Sequence, residues 1–164
     1  MSQTRITSQE FQQHAAAANG GMAALGKAVA GSGLEEELLQ LVKLRASQIN
    51  GCAFCTQLHI NESRHLGIVA AKIDLLVAWR EAGIFSEREK AALAWTELLT
   101  RLSANHITDE DYAAVSIHFQ PAELAWLSTS IALINAWNRI AAPFQYAPPI
   151  PRHEIHPEHA SASA

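Results

Sequence analysis

The chain's 164 residues suffice for one domain with a real hydrophobic core and are too few for two comfortable ones. With 49 % hydrophobic residues it reads as compact and globular, and 16 acidic against 12 basic side chains leave a formal charge of −4 with histidine neutral. That balance provides no electrostatic footprint for nucleic acid or an anionic lipid surface, which argues against both as partners.

The opening MSQTRITSQEFQQ lacks the basic and then apolar layout of a secretory signal. No run of about 18 uncharged apolar residues is present to span a bilayer, so the expected location is the cytoplasm. In a reducing compartment two cysteines serve chemistry, metal binding or packing sooner than a structural staple.

Alanine, leucine and glutamate dominate, and β-branched residues never alternate as a half-buried strand requires, so the expected fold is all-α with about six or seven helices. A first helix is expected over 8–18, stopped at Asn19-Gly20-Gly21, with a short one over 22–30 before Gly31-Ser32-Gly33. The run 34–47 is a stronger case: Glu35, Glu36 and Glu37 open it and Lys43 and Arg45 close it, matching the helix dipole at both ends. Its apolar stripe is Leu34, Leu38, Leu41, Val42 and Leu44. Asn50-Gly51 turns the chain, and either residue can cap a helix running through Cys52, Cys55 and His59 to about Leu66, before Gly67.

The next helix is expected over 69–82, ending before Gly83. Ser86 and Glu89 have capping-box spacing ahead of a helix to about Leu102, with Ala92, Trp95, Leu98, Leu99 and Leu102 inward. Thr108 and Asp111 repeat that grammar before a shorter helix to about Phe119. Pro121 begins a long, mostly apolar helix ended by Pro143. On it Asn135, Asn138 and Arg139 share a face and are expected to satisfy buried backbone or an interface. The proline-rich stretch after Tyr146 places a domain boundary near residue 150, giving one helical domain over 1–150 and a disordered tail over 151–164 that carries His153, His156 and His159.

The chemistry concentrates in INGCAFCTQLH, residues 49–59, which holds both cysteines. At about 100° per residue, Cys52, Cys55 and His59 fall within a sector of about 60° on one helix face. The first turn of a helix favours a thiolate, His59 can take the proton of Cys55, and Cys52 is near enough to attack an adduct formed there. The same geometry serves reduction of a peroxide through a sulfenic acid and exchange with a disulfide. Competing readings are two packing cysteines and a mixed zinc site with one distant ligand; His65, rotated about 240° from His59, is a poor fourth ligand. A thioredoxin-type motif would follow a strand, and none is expected. His106, in the loop before Thr108, is a weaker candidate for approaching the site from another element.

The run QLVKLRASQINGCAFCTQLH, together with Trp79, EKAALAWTELLTRL, DEDYAAV and IALINAWNRIA, resembles the carboxymuconolactone decarboxylase-like superfamily, in its alkylhydroperoxidase AhpD-like branch, over roughly residues 35–142. The resemblance implies an all-helical domain, assembly as a homo-oligomer (dimer, trimer or hexamer), no cofactor or metal, and peroxidase activity on a hydroperoxide, regenerated by an unidentified dithiol partner. It makes Cys52 and Cys55 the redox pair and His59 the histidine of the proton relay. The relay glutamate of the branch corresponds to Gln40, which positions but does not ionise, with Glu37 one turn earlier as a possible substitute. A histidine that other members carry before the second cysteine is Phe54 here. Because true decarboxylases lack the cysteine pair, the resemblance argues against the lactone reaction.

Overall fold

Four helices begin with a side chain that returns a hydrogen bond to its own first turn: Thr7 with Glu10, Ser86 with Glu89, Thr108 with Asp111 and Gln120 with Glu123 form reciprocal capping boxes. The computed structural model describes residues 5–151. Among them are eight α-helices: α1 (Ser8–His14), α2 (Ala16–Ala30), α3 (Glu36–Ile49), α4 (Ala53–His65), α5 (Ala70–Asp74), α6 (Glu87–Thr100), α7 (Asp109–Ser116) and α8 (Pro121–Phe144). A 3-10 turn, Leu76–Ala78, follows α5. The fold is all-α as expected, with more helices than six or seven.

Helix α3 is the hub. Leu38, Leu39 and Val42 pack with Ala92 and Trp95 of α6 and Leu127 and Ile131 of α8. Leu41 and Leu44 meet Ile73, Leu76, Trp79 and Leu93 on another side, and Ala46 joins the cysteines, Ile134 and Ala141. Each fully buried leucine of this kind contributes about 1.5–3 kcal/mol through burial. Polar groups inside the bundle are paired across helices. Glu97 of α6 accepts from Arg45 Nε at 2.8 Å, Trp79 Nε1 at 2.9 Å and Arg80 at 2.7 Å. Burial raises the pKa of its carboxyl, and the bonds from Trp79, Arg80 and Arg45 outweigh that and hold it below the usual range.

Several expected boundaries move. The chain does not stop at Asn19-Gly20-Gly21: α2 runs through both glycines, and the irregular residue is Ala15, with φ −122° and ψ 40°. Two glycines inside a helix cost only about 1 kcal/mol each, which the packing of α2 on α8 offsets. The 69–82 segment is not one helix. Ile73, Leu76 and Trp79 are its buried residues, and that three-residue spacing matches the tighter 3-10 period adopted after Leu75. Leu102, expected inward, lies beyond α6 and is 55 % exposed. Helix α7 ends at Ser116 rather than Phe119, and α8 carries Pro143 within its last turn before Gln145 ends it in the left-handed region at φ 54°. The expected tail from 151 onward, with its histidines, lies outside the described residues except for Pro151.

Candidate active site

The turn between α3 and α4 fixes the cysteines. Asn50 caps α3, Gly51 takes a positive φ of 64°, and the chain re-enters a helix at once. The N-cap of α4 is Cys52, not Asn50 or Gly51: its Sγ accepts the Cys55 N–H at 3.2 Å. A sulfur in that position faces the unpaired N–H groups of the first turn, which favour negative charge. Asn50 is itself held, donating from Nδ2 to Asn135 Oδ1 at 2.9 Å and Asn138 Oδ1 at 2.8 Å, while Asn138 donates to Ser47 at 3.2 Å. The polar face of α8, expected to satisfy buried backbone or an interface, instead bonds the Asn50 side chain and so locks the turn that carries the cysteines. Arg139 closes the network by donating to the Asn135 carbonyl at 2.9 Å.

Cys52 and Cys55 lie side by side with their sulfurs bonded and their Cα atoms 5.3 Å apart. Both are buried, Cys52 completely. One turn further along α4, the His59 ring donates from Nδ1 to Gln40 Oε1 at 2.9 Å, an arrangement that fixes the tautomer and leaves Nε2 as the basic nitrogen. Burial lowers the His59 pKa to about 3, with the positive charge of Lys43 acting in the same direction. The imidazole is therefore neutral across the physiological range. Lys43 follows Gln40 by three residues on α3, and burial lowers its own pKa, against the opposing charges of Glu36 and Glu62.

Cys55 and His59 open on one cavity of about 340 Å³. Its walls are mostly apolar: Phe54 and Leu58 from α4, Leu133, Ile134 and Trp137 from α8, and Phe11 from α1. Helix α1 closes this side by setting Phe11 edge-on to Trp137, with centroids 6.5 Å apart. Tyr146, after the left-handed Gln145, stacks edge-on to Phe54 at 5.8 Å and lines the same cavity, and its hydroxyl is buried with no hydrogen-bond partner among the described residues. Of the residues singled out from sequence, Cys52, Cys55, His59 and Gln40 come together. Glu37, one turn before Gln40 on α3, is exposed in a groove shared with Leu66 and Arg88 and does not line the cavity with His59. His106 is exposed in the α6–α7 loop and does not line the cavity. Sequence reading missed the place of Lys43 and Tyr146. The three-residue offset from Gln40 was an available signal for the first, and none existed for the second. Among the described residues no group of three or more histidine, cysteine or acidic side chains is arranged to hold a metal ion.

The sequence model of the carboxymuconolactone decarboxylase family matches residues 10–98, the span from α1 through most of α6 that includes the cysteine turn. The chain belongs to this family. It is 37 % identical over 110 residues to the uncharacterised protein YdfG of Bacillus subtilis, covering 67 % of this chain and 75 % of that one. A crystal structure from Agrobacterium tumefaciens, of a protein of unknown function named as a candidate antioxidant-defence protein AhpD, superposes with a TM-score of 0.85 at 37 % identity, covering 91 % of this chain and all of the other. Two more distant structures share the fold: a peroxidase-related protein from Silicibacter sp. TM1040 (TM-score 0.71, 21 % identity, 79 % and 69 % of the two chains) and a debrominase in complex with 2,3,4-tribromopyrrole (0.68, 17 %, 77 % and 68 %). Family membership and the paired cysteines together are consistent with a redox-active site.

Proposed function

We propose that the protein is a thiol-dependent peroxidase of the AhpD-like kind, a dithiol–disulfide oxidoreductase that reduces hydroperoxides through Cys52 and Cys55. The observation that carries this reading is the buried cysteine pair whose Cys55 opens, beside a tautomer-fixed histidine, on an apolar cavity. His59 Nε2 takes the proton of Cys55, and the thiolate attacks the distal peroxide oxygen. The O–O bond breaks, Cys55 becomes a sulfenic acid, and the alkoxide leaves as the alcohol with the proton returned from His59. Cys52 then displaces hydroxide from that sulfenic acid, forming the disulfide and one water. A dithiol reductant supplies two electrons and two protons to restore the pair.

In this reading the protein works in the cytoplasm as a homo-oligomer. No helix among the described residues is long and apolar enough to cross a membrane. Val69 and Val77 beside α5 and Ile117 after α7 leave apolar side chains 64–79 % exposed, which a second copy would cover. Sedimentation equilibrium in reducing buffer tests the assembly, with a single 17.8 kDa species as the refuting result. For the chemistry, a modest excess of hydroperoxide added to reduced protein should remove two hydrogens in mass spectrometry, and Cys52→Ser should instead give a sulfenic acid or an intermolecular disulfide. Thiols left untouched in the unaltered protein would overturn the proposal.

A further inference from the structure

The cavity beside Cys55 is nearly free of charge. Among the described residues that line it, Lys43 is the one charged side chain, and Asp and Glu are absent. Helix α8 contributes Ile134 and Trp137, α1 contributes Phe11 and Gln12, and the phenol of Tyr146 has its pKa raised by burial, so none of them is charged near neutral pH. His59 is held neutral by burial and brings no charge to Cys55 until a proton reaches it. A thiolate on a cysteine that is only 3 % exposed then depends on Lys43 and on the N–H groups that open α4.

The backbone sets Lys43 within reach of both groups. Helices α3 and α4 fold back on each other at the Asn50-Gly51 turn: near the turn Ala46 clusters with Cys52 and Cys55, and further out Gln40 bonds His59. Lys43 leaves α3 between these two levels, three residues from Ala46 and three from Gln40, and lines the cavity with Cys55 and His59. Side chains on a helix tilt toward its N-terminus, which carries the ammonium from the level of Cys55 toward His59, where its charge acts on the ring. No ion pair or hydrogen bond among the described residues holds that ammonium. Glu36 and Glu62, the carboxylates whose charge reaches it, are exposed and stand outside the cavity.

We propose that Lys43 is a positioning residue of the site: its ammonium stabilises the thiolate of Cys55 across the cavity and makes Cys55, rather than the fully buried Cys52, the thiol that ionises. The inference deepens the reading of Cys55 as the attacking thiol and rests on it. Ionisation breaks the S–H bond of Cys55; the proton passes to His59 Nε2 and, with no peroxide present, on to water, leaving a thiolate opposite a fixed cation. The two residues divide the task, His59 moving the proton and Lys43 holding the charge that the proton leaves behind.

The test titrates Cys55 in the reduced full chain carrying Cys52→Ser, by ultraviolet absorbance of the thiolate and without peroxide. Lys43→Met should raise the Cys55 pKa by at least about one unit, a tenfold loss of thiolate near neutral pH, and Lys43→Gln should do the same. Lys43→Arg, which keeps the charge, should restore most of the difference. A smaller shift in the neutral variants, or a rise with Lys43→Arg equal to that with Lys43→Met, overturns the proposal. Where one neutral variant does not fold the other decides. A further arm needs no change at Lys43: iodoacetamide below stoichiometry, added to the reduced unaltered protein, should label Cys55 in peptide mapping, and label on Cys52 instead refutes the assignment. No arm uses peroxide, so failure here leaves the peroxidase reading to its own mass-spectrometric test, and a thiolate tuned by Lys43 in a protein that ignores peroxide sinks that reading alone.

Discussion

Acidifying the oxidised protein should cost it stability through His59, and the size of the loss follows from its surroundings. The imidazole is enclosed, its Nδ1–H is spent on Gln40 at 2.9 Å, and burial with the charge of Lys43 lowers its pKa to about 3. In the unfolded chain a histidine titrates near 6.5. Above that pH both states hold a neutral ring and His59 contributes nothing to pH dependence. Below it the unfolded chain binds a proton that the folded protein refuses, so stability falls as pH drops from about 6.5 toward 3, by up to about 1.4 kcal/mol per unit. Between pH 7.5 and 5.0 the loss is about 2 kcal/mol, and any folded value below about 4 gives the same figure. The assay is urea unfolding of the disulfide form at the two pH values, in parallel with His59→Gln, which cannot titrate. The difference between the two proteins should shrink by about 2 kcal/mol in favour of the variant at pH 5.0, whatever fixed cost the substitution carries. Equal losses for both proteins, or an NMR titration of the ring near 6.5, would refute the account of its environment.

Three further outcomes follow from the same geometry. Changing Gln40 to Glu sets an anion on His59 Nδ1, so the His59 pKa should rise toward its ordinary value, read by NMR, and peroxide turnover should increase with disulfide reduction unchanged. Gly51 sits at φ 64° with no atom of the described residues within 4 Å of where a Cβ would stand, so alanine there should cost about 1–2 kcal/mol in chemical denaturation from backbone strain alone, and asparagine less. Removing Glu97 as Glu97→Ala strands Arg45 in the bundle and should lower stability by about 3–5 kcal/mol, whereas loss of the more exposed Arg80 should cost under about 1 kcal/mol; comparable effects would contradict the pairing.

What could be read in advance was what local periodicity controls. Cys52, Cys55 and His59 share a face because a helix repeats every 3.6 residues, and the capping residues Ser86 and Thr108 act within three positions of themselves. Gln40 was found by resemblance, and its bond to His59 spans 19 residues but only two adjacent helices. The misses are tertiary. Gly20 and Gly21 signal a break locally, yet α2 has a partner in α8 to hold it straight, so the signal loses. Of the apolar residues in 69–82, Ile73, Leu76 and Trp79 turn inward while Val69 and Val77 stay exposed, because Glu97 anchors Trp79 and Arg80 and the segment tightens after Leu75. Tyr146 enters the cavity only because Gln145 turns left-handed after Pro143, a geometry no residue spacing announces.

Gln40, where the resemblance implies a glutamate, bears on how the proposed site divides its labour. A glutamate beside the ring would stabilise an imidazolium permanently, whereas the Gln40 amide accepts the Nδ1–H equally well from a neutral ring and adds no charge. With Lys43 opposing protonation, the only anion among the described cavity-lining residues that can offset a charged His59 is the thiolate it creates on Cys55. In the proposed reaction, proton transfer from Cys55 to His59 therefore makes both members of the ion pair at once. Once peroxide consumes the thiolate in that proposed reaction, the imidazolium loses its partner, and its tendency to shed the proton is directed at the departing alkoxide. On the proposed reading the neutral Gln40 makes His59 a weak base at Cys55 and a strong acid at the alkoxide, and the turnover gain expected of Gln40→Glu assigns the limiting step to the base.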